Sequence, residues 1–231
     1  MTVLFLLACA VAGAGVGSVM DAWIRRAAAR DRQDGAPLDR HLRSRIGTAY
    51  VPALSAVGCL LVGLRYGAGL VVLPFLFFVP LLAGLAVVDL HTHRLPNALT
   101  LPAYPLGIAL VGGVALARGE PAILVGALAA AVLLFVTFLV LALLRPAGMG
   151  MGDVKAAGVI GLFVGALGVG AALVAAFLGT LLALLGGMTL MATGRIGRRT
   201  PTPFGPWLAL GALVAVLAGP ALFSAYLSTV R

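Results

Sequence analysis

The chain has 231 residues, 62% of them hydrophobic and only 10% charged, with a formal net charge of +9. A soluble domain devotes about a quarter of its residues to Asp, Glu, Lys and Arg to hydrate its surface, so an ordinary soluble fold is excluded. A nucleic-acid-binding face is excluded as well, because the Arg residues lie between apolar runs instead of clustering on a polar module.

A membrane-crossing helix takes about 20 apolar residues, and breaking the sequence at charges and Gly/Pro clusters gives runs of that size. The first is Val3 to Ile24. Leu6-Leu7-Ala8-Cys9 looks like a lipoprotein processing site, but no basic residue precedes the run and Arg25 and Arg26 follow it. It therefore reads as a span with its N-terminus outside, not as a cleaved signal. Residues 25–47 form a basic stretch with Asp31, Asp34 and Asp39 interleaved, too short to build a core. Further runs follow at Thr48 to Leu64, Leu70 to Val88, Ala98 to Ala117, Ala122 to Leu144 and Phe204 to Leu227. The stretch Val154 to Thr193 is too long for one span and is expected to turn at Gly165-Ala166-Leu167-Gly168. The predicted fold is all-α: a polytopic bundle of about eight transmembrane helices, a single domain over 1–231 with a short basic cytoplasmic segment at 25–47.

An outside N-terminus puts thirteen of the sixteen Lys and Arg residues in cytoplasmic segments, leaving Arg65, Arg118 and Arg231 outside. The opposite orientation reverses that ratio, so the positive-inside rule selects the first. Cys9 and Cys59 fall within apolar runs, with neither zinc spacing nor a disulfide framework. Trp23, Trp207 and Tyr50 lie near span ends and read as interfacial anchors.

Acids are the scarce residues. An ionised Asp inside a spanning helix costs about 2.5 to 3.5 kcal/mol on insertion scales, so an acid at a membrane boundary is a functional candidate. Of the seven, Asp89 ends the run Leu81 to Val88 and Asp153 opens the run that begins at Val154, both at the cytoplasmic ends of their spans. Two carboxylates within hydrogen-bonding range share one proton. The ionised acid can then take a proton from water while its partner polarises a carbonyl, the aspartic-protease solution to peptide hydrolysis. The plainer alternative is that each acid caps a helix or pairs with a neighbouring base such as Arg94 or Lys155. Gly150 and Gly152, in Gly148-Met149-Gly150-Met151-Gly152-Asp153-Val154-Lys155, offer a backbone without side chains against which an unwound substrate strand can lie. Asp89, His91 and His93 form D-x-H-x-H, but in a short loop such side chains alternate and no further ligand is near, so no metal is expected. Lys155 reads as a headgroup anchor.

The stretch Gly150-Met151-Gly152-Asp153 with Lys155 resembles the signature of the GxGD membrane aspartic proteases. Asp89-Leu90-His91-Thr92-His93-Arg94-Leu95-Pro96-Asn97 with Leu99-Thr100-Leu101-Pro102 resembles the first-aspartate region of the type IV prepilin leader peptidases. Gly17-Ser18 is similar to that family's opening, and Pro203-Phe204-Gly205-Pro206-Trp207 with Ala209-Leu210-Gly211-Ala212 to its last loop and final span. The resemblance covers nearly the whole chain. It implies that Asp89 and Asp153 are the catalytic pair of an aspartic endopeptidase in the inner (cytoplasmic) membrane. Its partners would be pilin-like or pseudopilin precursors, whose short leader is cut after a glycine at the cytoplasmic face. Many members carry two CxxC pairs resembling a zinc site and N-methylate the product with S-adenosylmethionine. The stretch from Arg25 to Gly47 has no Cys, so zinc is not expected and no cofactor is assigned, S-adenosylmethionine entering only if methyl transfer is retained. The competing readings are a small transporter using both Asp residues as a cation or proton site, and a non-catalytic membrane subunit of a pilus assembly machine.

Overall fold

A computed structural model describes residues 2–30, 50–93, 95–144, 149–194, 197 and 203–230, with 27–30 and 230 described by backbone only. Most of the basic segment (31–47), Arg94, Arg145, Arg195, Arg198 and Arg199, which carry much of the topology count, lie outside the described residues. The rest forms eight helices and no strand: α1 (Thr2–Arg30), α2 (Tyr50–Tyr66), α3 (Val72–Thr92), α4 (Asn97–Arg118), α5 (Pro121–Leu144), α6 (Met151–Gly165), α7 (Val169–Ala192) and α8 (Gly205–Val230).

Each expected apolar run became one helix, and the turn between α6 and α7 falls at 166–168. Gly168 makes it possible by adopting φ +117°, a value that L side chains resist. Two expectations are refined. The first helix runs past Ile24 to Arg30, so its end is not set by the end of the apolar run. Six of the eight helices are long and apolar enough to cross a membrane, whereas α2 has 17 residues and α6 has 15. At 1.5 Å per residue α6 extends only about 22 Å, short of a hydrocarbon core of about 30 Å. The reason is its location. Val154 and every residue from Ala156 to Gly165 are buried, so neighbouring helices, not lipid, surround it.

The outer surface is apolar: Leu116 is 85% exposed, Leu144 72% and Val3 71%. Only a hydrocarbon environment tolerates so much unpaired apolar area, and the chain is an integral membrane protein. Inside, α1 pairs with α2, α5 with α6 and α7 with α8, while α3 sits among α1, α2, α4 and α8. Phe78 of α3 stacks on Phe163 of α6 with ring centroids 4.7 Å apart, joining the two helices that carry the candidate acids. Trp207, near the start of α8, packs against α7, where Gly186 leaves space for its ring.

Candidate active site

Contacts between Asp89 and Gly205, Lys155 and Asn97, and Leu95 and Gly152 bring the C-terminus of α3 and the N-termini of α4, α6 and α8 together at one end of the bundle. Asp89 lies in the last turn of α3 and is 4% exposed. Its Oδ2 accepts a hydrogen bond from the backbone N–H of Gly205 at 2.7 Å, across 116 residues of sequence. Gly205 opens α8, where unpaired amides and the helix dipole favour an anion. A Cβ at Gly205 would stand 2.8 Å from that oxygen and 2.9 Å from the Asp89 Cβ. The absence of a side chain is what lets the amide reach the acid.

Asp153 occupies the first turn of α6, ahead of the apolar run, and its Oδ2 accepts the backbone N–H of Gly150 at 3.1 Å. This closes a reciprocal cap in which the Asp153 N–H donates back to the Gly150 carbonyl. Burial pushes the Asp153 carboxyl up to about 6, opposed by the Gly150 N–H and reinforced by the charge of Asp89. The two acids share this end of the bundle, where Leu95, six residues after Asp89, packs over Gly152, the residue before Asp153. Both cap a helix through Oδ2, as the plainer alternative has it.

Among the described residues Lys155 forms no ion pair with either acid. Lys155 Nζ donates to Asn97 Oδ1 at 2.8 Å. Gly150 has open space at its Cβ position, with only ordinary contact to Asp153 Oδ2, whereas the position above Gly152 is taken by Leu95, whose Cβ lies 2.8 Å away. The histidines are not on a loop. Helix α3 continues through Thr92, the His91 ring meets the Val87 carbonyl and Thr92 Oγ1 donates to Val88 O, both satisfying last-turn carbonyls. His93 closes the helix in a left-handed conformation. Among the described residues no three His, Cys, Asp or Glu side chains come together as a metal site. Cys9 and Cys59 are free and buried in α1 and α2, so the residues present do not fit a cysteine zinc centre.

Sequence reasoning gave no role to Gly205, Asn97 or Tyr104. The glycine and Pro206 at the start of a helix were a visible signal of a tight helix entry, but their meeting with Asp89 is purely tertiary. A cavity of about 300 Å³ lined by Tyr66, Phe75, Val111 and Leu167, with the Arg118–Glu120 ion pair at its edge, opens at the opposite ends of the helices, away from both acids.

Residues 76–192, from α3 through α7 and including both acids, match the Type IV leader peptidase family. The chain belongs to this family. Among its relatives, the "Prepilin leader peptidase/N-methyltransferase" of Bacillus subtilis (strain 168) is 33% identical over 185 residues, 79% of this chain and 71% of that protein. The protein of the same name from Xanthomonas campestris pv. campestris is 33% identical over 180 residues, 77% of this chain and 61% of its own length. That of Aeromonas salmonicida (strain A449) is 31% identical over 183 residues, covering 78% and 61%. No solved structure matches the chain.

Proposed function

We propose that this family member is an aspartic endopeptidase that removes the leader from pilin-like or pseudopilin precursors, with Asp89 and Asp153 as the catalytic pair. The observation that carries the reading is that two acids from distant segments share one end of the bundle: Asp89 is bound by the Gly205 amide that opens α8, and the segment after Asp89 meets the first turns of α6, which hold Asp153, through Leu95 at Gly152 and Asn97 at Lys155. Membership of a leader peptidase family supplies the substrate class. The whole chain, 1–231, acts as one unit in the inner membrane. Its N-terminus is outside and its acids are at the cytoplasmic face, where Arg25, Arg26 and Lys155 also lie and from which Arg65 and Arg118 are remote.

In this mechanism Asp89, anchored at the N-terminus of α8, is the ionised member and takes a proton from water as the water oxygen attacks the scissile carbonyl. Asp153 holds the pair's proton and donates it to the developing oxyanion. When the tetrahedral intermediate collapses, the C–N bond breaks and the leaving amine takes the proton that Asp89 received. Asp153 recovers its own as the carbonyl re-forms. Hydrolysis consumes only water and needs no cofactor, and methyl transfer is not part of the proposal. A helical substrate has its carbonyls occupied, so the leader junction is bound unwound, with the open backbone at Gly150 as its resting place.

The test is to incubate the purified chain in detergent with a pilin-like precursor whose leader ends in glycine, and to determine the new N-terminus of the product. A single cut after that glycine is expected. An uncut precursor, or cuts scattered along it, would reject the reading.

A further inference from the structure

The chain leaving Asp89 does not run freely to α4. Within eight residues it grips the start of α6 twice: Leu95 fills the space above Gly152, and Asn97 Oδ1 takes the Lys155 ammonium at 2.8 Å. About two turns further along α4 comes a third tie, in which the Tyr104 hydroxyl donates to the Lys155 backbone carbonyl at 2.9 Å. Gly158, whose missing side chain leaves room for that hydroxyl, permits the approach. Lys155 is thus held at both ends by α4, through its ammonium and through its carbonyl. An ordinary lysine at a membrane edge extends its flexible stem to lipid headgroups or water. This one gives up that freedom to bond an amide two positions beyond the acid Asp153.

We infer that Lys155 is a positioning residue: through Asn97 it straps the first turns of α6 to the segment leaving α3, and so fixes the spacing between Asp153 and Asp89. The inference rests on the peptidase reading. A shared proton needs hydrogen-bonding contact between the carboxyls or through one substrate atom, and a misplacement of about 1 Å at a catalytic group lowers rate by about a hundredfold. Two acids on separate helices have no covalent means of holding that spacing. The strap supplies it from the eight residues that follow Asp89.

A strap and a local charge make different predictions. With the full-length protein in detergent and a fluorogenic peptide spanning a pilin-like leader junction, Lys155→Met is expected to lower kcat by about tenfold to a hundredfold. KM should stay within about twofold, and the alkaline limb of the pH profile should not move. Asn97→Ala should match it, the double variant should be no worse than either single one, and Lys155→Arg should recover most of the rate. The inference is overturned if Lys155→Met keeps wild-type kcat, if the two losses multiply, or if the pH limb shifts, since a shift means that the ammonium acts on Asp153 by its charge. If Lys155→Met does not fold, Asn97→Ala carries the same test, because it leaves the lysine and its charge in place. Failure of the wild-type protein to cut the peptide would instead reject the peptidase reading itself.

Discussion

Asp153 shows how one side chain serves the fold and the proposed chemistry together. Its Oδ2 closes the cap of α6, while burial and the charge of Asp89 raise its carboxyl from 3.8 to about 6. Below that value the pair holds the proton that the mechanism needs. As pH rises through about 6 the acid is lost, both carboxyls carry negative charge, and turnover should fall along a single-proton limb. The linkage to folding has the same sign. The folded state keeps this proton to a higher pH than the unfolded chain, so the contribution of Asp153 to stability is full below 3.8 and is lost as pH rises through about 6. Initial rates between pH 4 and 8 and thermal unfolding in detergent over the same range check both. A turnover that rises through pH 6 would mean that Asp153 works as a base.

Helix α6 is the element on which the arrangement depends, because it delivers Asp153 while being enclosed along its length. Its closest neighbour is α5, where a Cβ at Gly161 would press into the Ala130 backbone carbonyl and stand 2.8 Å from the Ala131 Cα. Small residues allow this approach without a hydrophobic driving force between helices in lipid. Gly161→Ala should therefore destabilise the protein by about 1–3 kcal/mol, the usual penalty of overpacking, measured as a lowered midpoint of unfolding in detergent. An unchanged midpoint would mean that the two helices are free to separate. Element positions were legible in the sequence because lipid imposes one dominant signal, apolar length bounded by charge and turn residues. Where that signal is weak, the reading erred. By sequence the charged end of α1 and the Asp89–Thr92 stretch read as non-helical, yet local side-chain hydrogen bonds carry α3 through Thr92. The short α6 was counted as a span like the rest, since periodicity does not say whether a helix faces lipid or protein.

At the scale of the molecule, the scarcity of acids pointed to Asp89 and Asp153 before any contact was known, but their supports were not legible. Gly205, 116 positions from Asp89, and Asn97, 58 from Lys155, enter the site only through the folded bundle. The alternation of eight helices places this end of the bundle opposite the end that carries Arg65 and Arg118. With the acids at the cytoplasmic face, a cysteine introduced by His93→Cys should react with an impermeant thiol reagent only after the membrane is opened, and one introduced by Gly119→Cys in intact cells. The native Cys9 and Cys59 are buried and should stay silent. The reverse labelling pattern would contradict the orientation. The central claim, that these two carboxyls perform the hydrolysis as a pair, is tested most directly by turnover of a pilin-like precursor by Asp89→Asn and Asp153→Asn, each purified and shown to retain its helical content. Each variant should lose about 10²- to 10⁴-fold or more, with the double variant no slower than the worse single one. Near-wild-type cleavage by either would contradict the account.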